Sequence, residues 1–198
     1  MILGLHGKMG TGKSTIADCL ISVLHDEYSI KSCIKSFALP VYQVISIIFD
    51  MPIEEIKRNK NTLVRPRSFT DLKSYRELLQ NVGMELRDIV SKDIWVNALF
   101  GSDNMLVLQD WTADYKWWII DDLRFSNEFI KIRNCGGKLI KIQRETNIKK
   151  NVHPDILTNK SEVDLDNIDD DSWDYIVDNN HSVDITKKLL EKYILTIL

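Results

Sequence analysis

The chain has 198 residues, 44% of them hydrophobic and 28% charged, which gives room for one domain of ordinary size and excludes wholesale disorder or a fibrous repeat. Its net charge of −3 supplies no basic field of the kind a nucleic-acid polymer requires. The longest largely apolar stretch, Ala38 to Phe49, is too short to span a bilayer and is broken by Gln43 and Ser46, so no membrane partner is expected.

The opening residues, Met-Ile-Leu-Gly-Leu-His, have no basic start before a long apolar run, so no signal peptide is expected. Cys19, Cys33 and Cys135 are odd in number and far apart, which fits free thiols in a reducing cytoplasm rather than a disulfide frame or a zinc site. Residues 1–6 read as a short apolar strand ending at a glycine-rich turn. From Lys13 the spacing becomes helical, with Ile16, Cys19, Leu20, Val23 and Leu24 on one face. A second strand is predicted near 31–37. Residues 40–100 read as mostly helical, with a long amphipathic stretch from Asp71 to Val90 interrupted by Gly83, and a further helix capped by Asp93 that carries Trp95 and Leu99. Residues 117–121 form a compact apolar run that fits a buried parallel strand. Ser126 is the predicted cap of a helix over 127–134, stopped by Gly136-Gly137. Strands follow at 139–142 and 175–177, separated by a polar stretch over 145–172, and a helix over 183–197 closes the chain. Residues 104–116 are compatible with a strand, an excursion or a helix end. Strands separated by helical segments argue for an α/β fold, a parallel sheet with helices on both faces and ligands at the carboxyl ends of the strands.

The first turn carries the clearest chemistry. Gly7-Lys8-Met9-Gly10-Thr11-Gly12-Lys13-Ser14 fits G-x-x-x-x-G-K-[ST]. Its glycines let the backbone curl so that several N–H groups meet one phosphate chain, and the helix that follows adds its positive end. Lys13 is expected to reach the β- and γ-phosphates of ATP, and the Ser14 hydroxyl to ligate Mg²⁺. Gly7, Lys8, Gly10, Thr11, Gly12, Lys13, Ser14 and Thr15 are the candidate donor-nucleotide contacts. The nearest approach to an Asn-Lys-x-Asp guanine reader, Asn159-Lys160-Ser161-Glu162, ends in Glu and does not follow a strand. No Ser/His/Asp nucleophile set is evident.

Asp122-Leu123-Arg124-Phe125-Ser126-Asn127-Glu128, directly after the buried strand, resembles the D-x-R-F-x-N-E motif of bacteriophage deoxynucleoside monophosphate kinases. Other segments agree in the same order. Ser36-Phe37-Ala38-Leu39-Pro40 is similar to that family's S-F-A-D-P, with Leu39 where the family has Asp. Arg76-Glu77-Leu78-Leu79-Gln80-Asn81-Val82-Gly83-Met84-Glu85-Leu86-Arg87 resembles its R-x-x-L-Q-x-x-G-x-E-x-R helix, with Trp95 downstream. Gly136-Gly137 and Arg144 match the G-G strand and the arginine beyond it. His153 and Ser161-Glu162 resemble a split H-x-S-E lid element, and Asp178-Asn179-Asn180 resembles the exit of the final strand.

The resemblance implies a single three-layer α/β/α phosphate-loop kinase domain over 1–198, with five parallel strands in the order 2-3-1-4-5. It further implies an acceptor-binding insert at about 40–100, a lid at about 144–170, and Mg²⁺-dependent transfer of the ATP γ-phosphate to a deoxynucleoside monophosphate. A homodimer acting in a host cytoplasm comes from the same likeness. Transfer to another small acceptor, such as dephospho-coenzyme A, and a sensor that binds ATP without turning it over are the alternatives.

Individual residues carry both a functional reading and a plainer one. Asp122 ends the buried strand, where a carboxylate serves Mg²⁺ or caps a helix; Asp121 points to the other side of that strand. Arg124 bridges donor and acceptor phosphates or pairs with Glu128. Arg76 and Arg87 lie near one helix face, with Gln80 one turn beyond Arg76 and able to bond a base edge. In the resembled family such residues hold the acceptor; otherwise they form a solvated face with Glu77 and Glu85. Arg65 and Arg67 flank Pro66 in a loop, where they clamp the acceptor phosphate or are simply solvated. Arg144 swings over the phosphates on lid closure or merely flanks a strand. Trp95 and Trp111 stack on a base or, with better odds, belong to the core. Asn179 and Asn180 hold adenine, as the resemblance implies, or form a plain turn. His6, beside the phosphate loop, is read as structural, and the other histidines show no metal-ligand pattern.

Overall fold

The computed structural model describes residues 1–60, 62–64, 73–101, 115–145 and 160–198. They divide into two compact units, Met1–Ser36 with Asp110–Leu198, and Phe37–Gln109.

The first unit is built on a five-stranded sheet. Strands β1 (Ile2–His6), β2 (Ser32–Lys35), β5 (Trp117–Ile120), β6 (Lys138–Gln143) and β7 (Tyr175–Asp178) lie in the order β2-β5-β1-β6-β7. All pairings are parallel. Counted along this sheet alone, that is the predicted order 2-3-1-4-5. Alternation along β1 sets the layers. Leu3 and Leu5 share a buried cluster with Ile16, Leu20 and Leu24 of α1 (Lys13–Asp26). Leu190 and Ile194 of the closing helix, Val183–Ile197, join the same cluster. Between them Gly4 faces the other way, where a Cβ would stand 2.7 Å from Ile132 Cδ1 and 3.1 Å from Leu139 Cδ2. The helix on that side, α6 (Ser126–Asn134), therefore packs directly on the strand backbone.

Ser126 opens α6 but does not cap it. Its hydroxyl and backbone N–H both donate to Asp164 Oδ2, at 2.7 and 2.8 Å. The orphan donors at the helix start are satisfied by Glu128 instead: Oε2 accepts from Arg124 N at 2.8 Å and Phe125 N at 3.0 Å. The polar stretch before β7 contains a short helix α7 (Lys160–Val163), a 3-10 turn (Asp170–Ser172) and the buried Leu165 and Trp173. The closing helix is α8.

The second unit has its own core of Val41, Tyr42, Ile45, Ile56, Tyr75, Leu78, Leu79 and Trp95. These come from α2 (Leu39–Phe49), α3 (Ile53–Arg58), α4 (Tyr75–Ile89) and α5 (Ile94–Phe100). A two-residue antiparallel pair, β3 (Leu63–Val64) with β4 (Lys73–Ser74), was not legible in the sequence. It shortens the helix expected from Asp71, because Ser74 ends the pair and starts α4 in a capping box. Ser74 Oγ accepts from Glu77 N at 3.2 Å, and Glu77 Oε2 accepts from Ser74 N at 2.8 Å. Gly83 does not interrupt α4, since a single glycine costs only about 1 kcal/mol and the packed Leu78, Leu79 and Leu86 outweigh it. Among the described residues no helix is long and apolar enough to cross a membrane.

Candidate active site

The turn between β1 and α1 carries the Gly7–Ser14 motif. Gly10 and Gly12 have φ of 81° and 91°, the left-handed region that side chains avoid. Thr11 is buried, and its Oγ1 donates to Lys8 O at 2.9 Å. Lys13 Nζ curls back over the turn and donates to Gly7 O at 2.5 Å and Lys8 O at 3.1 Å. Ser14 and Thr15 are exposed in the first turn of α1. Lys8 is ion-paired with Asp166, so the segment after α7 is tied to the loop.

The exit of β7 braces this turn. Asn179 is 7% exposed, and its Nδ2 donates to Thr11 O at 2.8 Å. Asn180 Nδ2 donates to Asp178 Oδ1 at 2.6 Å, while its Oδ1 accepts from Glu145 N at 3.0 Å. Both amides thus bond protein groups: one holds the phosphate loop and the other holds the chain that follows β6. The same arrangement brings Arg144 to the loop, where a Cβ placed on Gly12 would lie 3.9 Å from Arg144 Nη1 and would overlap the Asn179 amide.

At the end of β5, Asp122 is half-buried and its Oδ2 accepts from Ser36 Oγ at 2.7 Å. The turn that carries Arg124 is fixed from several sides. Leu123 N donates to Leu5 O at 3.2 Å, and Glu128, 2% exposed, holds the N–H groups of Arg124 and Phe125. His6 Nδ1 lies 3.1 Å from Leu123 O; a carbonyl only accepts, so that nitrogen carries the proton. Burial first, then the charges of Lys13, Lys8 and Lys141, push the His6 imidazole down to about 4, against the raising effect of the Leu123 bond. Its ring stacks on Trp173 at 5.1 Å, and Phe129 meets Trp173 edge-on at 5.1 Å. His6 is thus a neutral structural element beneath the loop. Ser36, Glu128, Asp164, Asp166 and Trp173 were not singled out for these contacts; only the quoted S-F-A and F-x-N-E segments carried a signal for any of them.

The donor set suits Mg²⁺. Ser14 and Asp122 offer hydroxyl and carboxylate oxygens, the hard ligands that this ion takes in small number beside phosphate oxygens and water. Among the described residues no three His, Cys, Asp or Glu side chains gather as a metal cage.

In the second unit, Arg76 and Gln80 are half-buried on α4 and Arg87 is 7% exposed. Arg76 N donates to Lys60 O at 2.9 Å. Trp95 is 6% exposed in the core, and its Nε1 donates to Gly83 O at 2.9 Å, so it is the core placement that it occupies. Arg65, Arg67, Trp111 and His153 lie outside the described residues.

No family model matches the chain. It is 28% identical to a protein of Acanthamoeba polyphaga mimivirus provisionally named a deoxynucleotide monophosphate kinase, across 93% of this chain and 91% of that protein. It is 39% identical over 57 residues to the deoxynucleoside-5'-monophosphate kinase of Escherichia phage T5, across 27% of this chain and 22% of that protein. The shikimate kinase of Aquifex aeolicus covers 100% of the chain at 14% identity, with a TM-score of 0.42. With a phosphate loop at the β1–α1 turn of a 2-3-1-4-5 parallel sheet, the chain is a relative of the deoxynucleotide monophosphate kinases named in viruses and phage.

Proposed function

We propose that the protein transfers the γ-phosphoryl group of ATP to a deoxynucleoside monophosphate, giving ADP and the deoxynucleoside diphosphate. One observation carries the reading. Lys13 and Arg144, from segments far apart in sequence, both stand at the phosphate loop, with Arg144 Nη1 3.9 Å from where a Cβ of Gly12 would lie. Two cations at one glycine-rich turn suit a chain of phosphates better than any neutral ligand.

The acceptor phosphate has a second pKa near 6, so at neutral pH it is largely a dianion and already a nucleophile. One of its oxygens forms the new bond to the γ-phosphorus as the bond to the bridging oxygen breaks, and ADP leaves with that electron pair. No general base is needed, and catalysis is positioning and charge neutralisation. The loop N–H groups and Lys13 hold the donor phosphates, Arg124 and Arg144 neutralise charge on the transferring group, and Arg76, Gln80 and Arg87 hold the acceptor. Ser14 and Asp122 would hold Mg²⁺, which when bound supplies further neutralisation of the donor phosphates. A homodimer and a cytoplasmic location belong to this reading.

The test is ADP release with each common and modified deoxynucleoside monophosphate as acceptor. Turnover with at least one is expected. Transfer to dephospho-coenzyme A alone, or tight ATP binding with no transfer to any acceptor, overturns the proposal.

A further inference from the structure

The turn that carries Arg124 is held at its backbone by two carboxylates. Glu128 Oε2 accepts from Arg124 N at 2.8 Å and from Phe125 N at 3.0 Å. Asp164 Oδ2 takes the next N–H, that of Ser126, at 2.8 Å, together with the Ser126 hydroxyl at 2.7 Å. The two carboxylates differ in what they attach the turn to. Glu128 belongs to α6 itself, so it makes the turn and the helix start one piece. Asp164 lies just past α7, 38 residues on, and fastens that piece to another part of the chain.

The segment that supplies Asp164 is itself anchored. Asp164 N donates to Lys160 O and Asp166 N to Val163 O, both at 3.0 Å, which folds the segment onto α7. Leu165 is 1% exposed, and Asp166 is ion-paired with Lys8 of the phosphate loop. Three consecutive residues thus grip the start of α6, the interior and the loop. The polar grips add little stability. Ser126 is exposed and Asp164 half-buried, and the Lys8–Asp166 pair is open to solvent at both ends, so water competes for each contact. Their effect is on position. Ser126 is two residues from Arg124, and a misplacement of about 1 Å at a reacting group is enough to cost about 100-fold in rate.

We infer that Asp164 is a positioning residue: from outside α6 it holds Ser126 where the turn presents Arg124 to phosphates gathered at the loop, and Asp166, paired with Lys8, keeps that hold in register with the loop. This deepens the kinase reading and rests on it, in particular on the part given there to Arg124. Asp164 acts through the arginine and takes no part in the transfer itself. Both of its bonds to Ser126 end on one oxygen, so an amide oxygen in the same place serves as well as a carboxylate oxygen.

The experiment measures melting temperature and kcat for the parent chain, Asp164→Ala, Asp164→Asn, Arg124→Lys and the double variant Asp164→Ala with Arg124→Lys, at saturating ATP and deoxynucleoside monophosphate. Asp164→Ala should melt within about 4 °C of the parent and lose about five-fold or more in kcat. Asp164→Asn, which keeps an acceptor oxygen, should stand closer to the parent in kcat than to Asp164→Ala. In the Arg124→Lys background, where the arginine to be positioned is gone, Asp164→Ala should cost less than about two-fold further. A smaller loss in Asp164→Ala overturns the inference, as does a loss of two-fold or more repeated in the Arg124→Lys background, which would show an action independent of the arginine. An Asp164→Asn variant as slow as Asp164→Ala, or an Asp164→Ala variant that is unfolded or melts further below the parent, overturns it too. A parent-like Arg124→Lys removes the arginine's part and the inference with it. A parent chain that phosphorylates no nucleoside monophosphate sinks the kinase reading itself, whereas an active parent with an indifferent Asp164→Ala sinks only the assignment of Asp164.

Discussion

Ser36 and Asp122 are 86 residues apart in sequence, yet Ser36 Oγ donates to Asp122 Oδ2 at 2.7 Å at the ends of the neighbouring strands β2 and β5. A hydroxyl bonded to one carboxylate oxygen fixes the rotation of the whole group. If Asp122 serves Mg²⁺, Ser36 positions it from behind, a kind of support worth about 10- to 100-fold in metal affinity. Ser36→Ala is expected to raise the Mg²⁺ concentration for half-maximal rate about ten-fold, and Ser36→Thr to restore it. The same shift should appear in Mn²⁺ binding followed by electron paramagnetic resonance with ATP present. An unchanged metal dependence would separate Ser36 from the ion.

Asn179 ties the last strand to the first turn. Its buried amide donates to Thr11 O at 2.8 Å, and its Oδ1 accepts from Thr186 Oγ1 at 3.4 Å. Asn179→Ala leaves Thr11 O without this donor in a buried place, which costs about 1–3 kcal/mol. The melting temperature should fall and the ATP KM rise, because the turn loses a brace on the side from which its backbone N–H groups are aimed. Asn179→Asp should be worse, since it sets a carboxylate against a carbonyl oxygen beside the phosphates. Thermal unfolding and ATP titration calorimetry report both effects.

Lys13 donates to two carbonyls of its own loop, Gly7 O and Lys8 O. Those bonds are replaceable, since Thr11 and Asn179 also hold the turn. Lys13→Ala is therefore expected to fold, with a melting temperature near that of the parent, and to lose 100-fold or more in kcat, about the loss seen when one preorganised donor to developing charge is removed. Lys13→Arg should not restore the rate, because the planar fork does not reproduce a compact ammonium. Steady-state kinetics beside circular dichroism of each variant decides it. A folded Lys13→Ala with near-parent turnover would end the assignment.

Features written in local spacing were legible before any coordinates. The phosphate loop, the buried face of α1 and the alternation of strands and helices follow from glycine placement and apolar periodicity, whereas the strand order is implied only by the resemblance to the phage kinases. What stayed hidden was set by distant partners or by very short elements. Ser126 looks like a cap, but its hydroxyl bonds Asp164, 38 residues on; the capping carboxylate, Glu128, was visible only as part of a motif. The pair β3–β4 has two residues per strand, too few to show alternation. Asn179 and Asn180 carry two readings in the sequence, adenine contact or a plain turn, and the bonds of their amides to Thr11 O and Asp178 Oδ1 join residues that no sequence pattern links.

His6 gives the fold a pH dependence of known sign. Folded, its imidazole is pushed down to about 4 from an ordinary 6.5, mainly by burial. Between those values the unfolded chain binds a proton that the folded chain refuses, so stability falls as pH drops from 6.5 towards 4. The full effect is on the order of 3 kcal/mol. Asp174 adds a separate loss at lower pH. Burial alone would raise its carboxyl, but the Leu139 N–H, Lys138 and Arg133 outweigh that and hold it below its usual value, so its contribution is lost as pH falls through that lowered value. His6→Asn keeps a donor for Leu123 O and cannot titrate. Urea unfolding at pH 4.5, 5.5, 6.5 and 7.5 should show a steep decline for the parent and a flatter one for His6→Asn from pH 6.5 down to 4.5, with the two alike above pH 6.5. Equal slopes would place the acid sensitivity elsewhere.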